Sequence, residues 1–345
     1  FFLRSMMVSI AMVAGLAPPP DAKLLVVGAS GGTGTRVLRG LLDVGYQPAQ
    51  LRLLTRNPSR DSLKPLSDAG IELFAADLDE PASLVSAADA CTGCYVHSTA
   101  GDTKKLDVGE VLRARHLSAS LQGSGVAQVV FNSAAAEPSH GVKRIAQKHA
   151  VEQVFRESGL PATHLRANLF MEELWKSYTR PPILKGKYPF SLPPDRDVYL
   201  TSVRDMGRLA GSRRLRPPPR PFPDLSGNCP AGSCLAGPPP PADGRVINVA
   251  SEVSTPAGMA EAFAAAQGTP CEHKQARLLR WIARLFLPDL YEVIQFYRTS
   301  TETTDVAALE RQFPGLLTPF AAFLEETRWG DAEATYEDLA GAGID

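Results

Sequence analysis

The chain has 345 residues and carries 36 Lys and Arg against 37 Asp and Glu, a formal net charge of -1. That balance argues against an electrostatic nucleic-acid binder, which needs a basic face, and no basic tract is present. The length suffices for a full doubly wound domain plus a smaller lobe. The cysteines, Cys91, Cys94, Cys229, Cys234 and Cys271, are too few and too scattered for a disulfide scaffold, so a reducing compartment is expected.

The chain opens on Phe1 rather than Met, which reads as a processed product or an incomplete N-terminus. Residues 1–22 combine Arg4, an apolar run from Met6 to Ala17 and the stop Pro18-Pro19-Pro20, too short to span a bilayer as a helix. They read as a targeting remnant or as a leader of no consequence. No integral membrane segment is expected.

Lys23-Leu24-Leu25-Val26-Val27 is a short apolar strand. It breaks into Gly28-Ala29-Ser30-Gly31-Gly32-Thr33-Gly34 and then into a helix beginning at Thr35. A strand, a G-x-x-G-x-x-G turn and a helix bring backbone N–H groups and a helix N-terminus around a diphosphate. Gly28 allows the tight turn, Gly31 admits the cofactor to the backbone, and Gly34 lets the helix pack closely.

Strand and helix patterns then alternate to about Asn168. Strands are predicted at 51–55, 71–75, around 95–97, at 128–132 and at 162–166. Helices are predicted at 61–69, 79–90, 104–123 and 143–157. The alternation implies an α/β fold, a doubly wound parallel Rossmann sheet with ligands beyond the carboxyl ends of its strands. The site is therefore expected near Gly28, Arg56, Asp77, His97, Ser133 and Asn168. Residues 23–170 form the expected dinucleotide-binding domain. Residues 171–345 form a small, irregular substrate lobe mixed with returning Rossmann elements, where Pro181-Pro182 and Pro193-Pro194 suggest loops. A Pro/Gly-rich insertion at 213–243 interrupts it, order returns in a strand at 245–249, and an amphipathic helix is expected at 277–286.

The second strand ends in Thr55-Arg56-Asn57-Pro58-Ser59-Arg60, where an NAD-selective site would place a carboxylate. A guanidinium there pairs with a 2′-phosphate, so Arg56, and more weakly Arg60, points to NADP(H). Asp77, followed by Leu78, faces the adenine or caps the next helix. His97 and Ser98, at the end of the fourth strand, should line the cofactor groove. Cys91-Thr92-Gly93-Cys94 has no second pair to complete a zinc site and reads as buried, inert thiols.

The glycine turn, Thr55-Arg56-Asn57-Pro58, Ala76-Asp77-Leu78, Lys148-His149-Ala150-Val151-Glu152-Gln153 and Ser158 through Glu172 resemble the NmrA-like atypical short-chain dehydrogenases/reductases. The resemblance covers about residues 23–210 and resumes near Arg245. It implies a Rossmann fold with a small C-terminal lobe and NADP(H) at the glycine turn. In the wider superfamily a Y-x-x-x-K tyrosine donates the proton. Here Lys148 is retained, but Arg144 stands four residues earlier and stays protonated, which excludes the tyrosine mechanism at that position. The resemblance casts Lys148 as the ribose-holding or proton-donating residue; the bland alternative is a surface pair with Glu152. Ser133, at the fifth strand's end, and His140, on a loop, are the other candidate catalytic residues.

Two functions are expected from this. One is an NADPH-dependent reductase of a small carbonyl, quinone or enone substrate. The other is a non-catalytic NADP(H)-binding redox sensor or assembly scaffold with a protein partner. An epimerase is disfavoured because it too would need the tyrosine. A nicotinamide enzyme needs the cofactor pool of a cell or organelle, which favours plastid or cytoplasm over secretion.

Overall fold

The computed structural model describes residues 18–31, 34–101, 106–136, 141–212, 245–276, 284–285 and 287–341. The leader up to residue 17, the 213–243 insertion with Cys229 and Cys234, and residues 277–283 and 286 of the expected amphipathic helix lie outside them, as do Gly32, Thr33 and His140.

A seven-stranded sheet organises the chain. Its first half contains β1 (Leu24–Val27), β2 (Leu51–Thr55), β3 (Glu72–Ala75) and β4 (Gly93–Val96). The second half contains β5 (Val129–Ala134), β6 (Ala162–Ala167) and β10 (Arg245–Val249). The spatial order is β3-β2-β1-β4-β5-β6-β10, and every pairing is parallel. The fold is thus the expected α/β Rossmann-like type. Parallel strands are covered on both faces and read as continuous apolar runs. All of β1, Leu24-Leu25-Val26-Val27, is buried, with Val26 in the core of one face and Leu25 and Val27 in that of the other.

Between the strands run α1 (Thr35–Asp43), α2 (Lys64–Asp68), α3 (Glu110–Leu121) and α4 (Lys143–Glu157). Two expected helices differ. Residues 79–90 form only a 3-10 turn at Pro81–Leu84, followed by turns. The Ser83 hydroxyl takes the Asp77 N–H at 2.9 Å and faces the carbonyls of Asp77 and Glu80 at 3.1 and 2.7 Å. Such local side-chain bonding competes with a helix. The helix expected from 104 begins at Glu110, because Asp107 accepts the Gly109 N–H at 3.0 Å and holds the preceding segment as a turn.

The second lobe is more regular than its prolines suggested. After β7 (Leu169–Phe170), Pro181-Pro182 occupies the first turn of α5 (Arg180–Leu184), where the missing N–H groups are not needed. Next come β8 (Lys187–Phe190), β9 (Val198–Thr201) and α6 (Val203–Gly211). Beyond β10 lie β11 (Glu252–Ser254), α7 (Pro256–Gln267) and β12 (Glu272–Gln275). The last helices are α8 (Pro288–Thr299), α9 (Val306–Gln312), α10 (Phe320–Glu326) and α11 (Tyr336–Gly341). Small sheets β11-β9-β7 and β12-β8 complete this lobe around a core containing Trp175, Tyr188, Phe263 and Trp329.

Helix α6 ties the two regions together. A Cβ at Gly40 would sit 1.9 Å from the Arg204 carbonyl oxygen, and one at Gly207 would sit 2.2 Å from that of Val37. The helices therefore cross in direct backbone contact, flanked by Arg204 and Arg208 on Asp43 at 2.6 and 2.8 Å. Among the described residues no helix is long and apolar enough to cross a membrane.

His164 on β6 is fully buried with both ring nitrogens unpaired, its ring edge-on to Phe131. Burial pushes its pKa down to about 4 from 6.5, with Glu152 opposing the shift. Because the fold keeps the neutral ring, this stabilisation is complete above pH 6.5 and is lost as the pH falls to 4, up to about 3 kcal/mol. His164→Leu is expected to lose less stability than wild type across that window in denaturant titrations. Parallel profiles for the two proteins would refute this.

Candidate active-site groove

The strand order reverses between β1 and β4, and a groove opens beyond their carboxyl ends, as the topology demands. It joins Gly28 and Ser30 after β1, Arg56 after β2, Asp77 and Leu78 after β3, and Ser98 after β4. Of the residues expected to bind cofactor, the structure therefore brings these six to one place. The free space here is about 150 Å3. Small-molecule sites generally run from about 300 Å3 upward, so this space alone is too small for a whole dinucleotide.

Gly28 has φ +74°, and a Cβ there would lie 2.1 Å from the Ser98 carbonyl oxygen, so only glycine fits both the turn and its neighbour. A Cβ on Gly34 would meet the Ala29 Cα at 2.6 Å, which closes the turn on itself. Gly31 faces open space, so no protein packing demands a glycine there. The Arg60 guanidinium donates to the Ser30 carbonyl and lies across the turn. Arg56 is exposed and pairs with no described residue. Asp77 accepts the Asp79 N–H at 3.0 Å, fixing the turn after β3.

A second cluster sits at the ends of β4 and β5. The His97 N–H donates to the Val27 carbonyl at 2.8 Å, extending the β1–β4 ladder past its last paired residue. The ring nitrogen Nδ1 of His97 faces Tyr95 Oη at 3.4 Å and Asn132 Nδ2 at 3.3 Å. Phe170 lies beside the ring, with centroids 6.4 Å apart. Burial, with the Lys148 charge second, pushes the His97 pKa down to about 4, so the imidazole is neutral near pH 7.

Lys148 projects from α4, half-buried, and its ammonium pairs with the carboxylate of buried Glu110 on α3. The expected alternative, a surface pair with Glu152, is not found. Glu152 is fully buried, and it accepts from Arg166 at 2.8 and 2.9 Å and from Arg156 at 2.9 Å. Ser133 belongs to that internal cluster. Its hydroxyl donates to Glu152 at 2.6 Å and is 5% exposed, so its proton is committed to the fold rather than offered to a substrate. This corrects the expectation for Ser133. Alternation along β5 turns Ser133 toward α4 and leaves the neighbouring Asn132 on the His97 side. Asn168, at the end of β6, is likewise structural, bonding Val249 and Thr304. Arg144, at the tyrosine position, lies 3.8 Å from Asp289 on the surface.

Sequence reasoning missed Glu110, Asn132, Tyr95 and Arg113. The Arg113 guanidinium lines the groove and pairs with Asp79 and Asp107 at 2.8 and 2.6 Å. The period-2 spacing of Tyr95 and His97 was the one available signal. Cys91 and Cys94 are buried free thiols, their pKa values raised by burial. Among the described residues no three His, Cys, Asp or Glu side chains gather as a metal site.

Sheet, reversal point and groove define an α/β protein of the Rossmann-like class. Within that class the chain belongs to the NmrA-like family, whose model matches residues 20–220. It is 29% identical over 161 residues to the photosystem II assembly factor Ycf39 of Cyanophora paradoxa, covering 46% of this chain and 49% of that protein. It is 27% identical over 188 residues to the NmrA-like family domain-containing oxidoreductase FrzB of Cladobotryum sp, covering 52% and 54%. The chain thus spans about half the length of the curated relatives it matches. Among solved structures, Citrobacter sp. triphenylmethane reductase complexed with NADP(H) aligns over 88% of this chain and 99% of that one. Its TM-score is 0.65 at 16% identity, a likeness of fold.

Proposed function

We propose that the protein is an NADP(H)-dependent reductase of a small carbonyl, quinone or enone compound. The observation that carries the reading is the half-buried Lys148 ammonium held on Glu110 beside His97, where a solvated helix lysine would otherwise be expected.

The residues fit the cofactor. Gly28 and Gly34 form a turn that no Cβ could enter, while Gly31 leaves its outer side open to a diphosphate. Arg56, paired with no described residue, supplies the cation that a 2′-phosphate requires, and no carboxylate stands on the end of β2 to repel it. Asp77, Leu78 and Ser98 would flank the adenosine half. Lys148 would hold the nicotinamide ribose. The bound cofactor would supply the hydride, and the protein supplies orientation and proton handling. Lys148, held by Glu110, presents a positive charge where negative charge would develop on the acceptor oxygen. The triphenylmethane reductase carries NADP(H) on the same fold, and FrzB is described as an oxidoreductase, which supports this reading.

The second reading is a non-catalytic NADP(H)-binding scaffold or redox sensor with a protein partner. Arg144 in place of the tyrosine and the similarity to an assembly factor favour it. Purified protein should oxidise NADPH in the presence of at least one member of a panel of quinones, aldehydes and enones. Tight NADPH binding with no acceptor consumed would instead establish the scaffold reading.

A further inference from the structure

We propose that His97 is a catalytic hydrogen-bond donor: its Nε2–H grips the oxygen of the hydride acceptor, the role that a tyrosine plays in the wider superfamily. The inference rests on the reductase reading above and gives a role to a ring that stands next to the groove residue Ser98 but outside the groove's lining.

The tautomer follows from the partners. The Asn132 amide nitrogen stands 3.1 Å from the His97 carbonyl oxygen, which can only accept, so the amide must present its NH2 there. The same NH2 lies 3.3 Å from Nδ1 and can only donate to it. Tyr95, fully buried, has its phenol pKa raised by burial, so it remains a protonated donor, and its oxygen lies 3.4 Å from Nδ1. With donors on that side, Nδ1 carries the lone pair and Nε2 carries the proton.

Nε2 is placed for use. It bonds no described residue, and His97 is part-exposed just past the end of β4. The ring sits just past the carboxyl end of β4, against Phe170, with the Lys148 charge close enough to act on it. A neutral imidazole with its second nitrogen fixed as an acceptor is a preorganised donor that needs no titration to work. A bound reduced nicotinamide dinucleotide would supply the hydride to the acceptor carbon and would be left oxidised. The carbon–oxygen π pair moves onto oxygen, His97 stabilises that oxyanion without giving up its proton, and water supplies the proton that neutralises it.

The test uses His97→Phe and His97→Gln, the latter keeping an N–H near the Nε2 position. With a quinone that wild type reduces, His97→Phe should lower kcat about 100-fold. His97→Gln should recover at least tenfold of that, with NADPH affinity by fluorescence within threefold of wild type. In the apo protein, 15N NMR of the histidines at pH 7 should show His97 protonated on Nε2, assigned by the signal lost in His97→Gln. Unchanged turnover in His97→Phe, or a loss of NADPH affinity that accounts for the whole defect, overturns the proposal. So does an Nδ1-protonated ring, which can be read without any activity. If His97→Phe fails to fold, His97→Gln against His97→Asn decides, because asparagine cannot reach the Nε2 position; equal activities refute the assignment. Wild type that reduces no acceptor removes the reductase reading itself, and this proposal with it.

Discussion

Arg56→Asp is expected to weaken NADPH binding about 100-fold while leaving NADH within a few-fold. Arg56 is exposed at the end of β2, beside Asp77 and Ser98, and pairs with no described residue. Its removal therefore breaks no pairing among the described residues. What disappears is a charge-assisted contact to the 2′-phosphate, and a repelling carboxylate takes its place. Bonds to charged groups contribute about 1.5–3 kcal/mol, and at about 1.4 kcal/mol per tenfold a loss near 3 kcal/mol gives the stated factor. Isothermal calorimetry with both coenzymes checks it, and equal weakening of the two would refute the assignment of NADP(H) to this groove. Arg60 should matter less to this discrimination, since its guanidinium is already committed to the Ser30 carbonyl.

Lys148→Ala should lower kcat about 100-fold, within the range for loss of a group acting on the transition state. The same change also removes the partner of Glu110, a carboxylate only 3% exposed. Breaking a fully buried pair costs about 3–5 kcal/mol. Lys148 is 25% exposed, so solvent screening brings the expected loss to about 2 kcal/mol. The two effects separate in the double variant Lys148→Ala/Glu110→Gln. A neutral amide needs no cation, so thermal stability should return toward wild type while turnover stays low. Recovery of turnover in the double variant would mean that Lys148 serves only as a counter-ion.

Glu172 shows how far such pairing can depart from a reading of the sequence. It is fully buried, accepts from Arg36 at 3.1 Å and from the Val203 N–H at 3.0 Å, and burial still pushes its carboxyl up to about 7. Its sign is opposite to that of His164. An acid whose folded pKa is raised stabilises the fold below pH 4.5, and that contribution is lost as the pH rises through 7. Arg36 follows the glycine turn directly, yet its side chain turns to Glu172 and Glu326 rather than to the groove.

By itself the sequence determined the alternation of elements, the turn after β1 and the positions of Arg56, Asp77 and Ser98 at strand ends. These features are local, because a strand buried on both faces must be apolar along its whole run, and a left-handed residue wedged against backbone must be glycine. The helix at Lys143–Glu157 was legible from the Ser158-Gly159 stop that follows it, and the strand at Arg245–Val249 from its β-branched residues. Where local signals misled, a side-chain bond had outcompeted propensity, as Ser83 did for residues 79–90. Only the tertiary structure decided which charged and polar groups meet. Ser133 faces Glu152 across 19 residues, and Lys148 faces Glu110 across 38. Asn132 reaches His97 because the neighbouring parallel strand β5 presents the same face in register, joining Tyr95, which stands two residues before His97 on its own strand. A buried charge takes whichever partner the packing of sheet and helices brings within hydrogen-bond reach, and spacing along the chain carries no record of that choice.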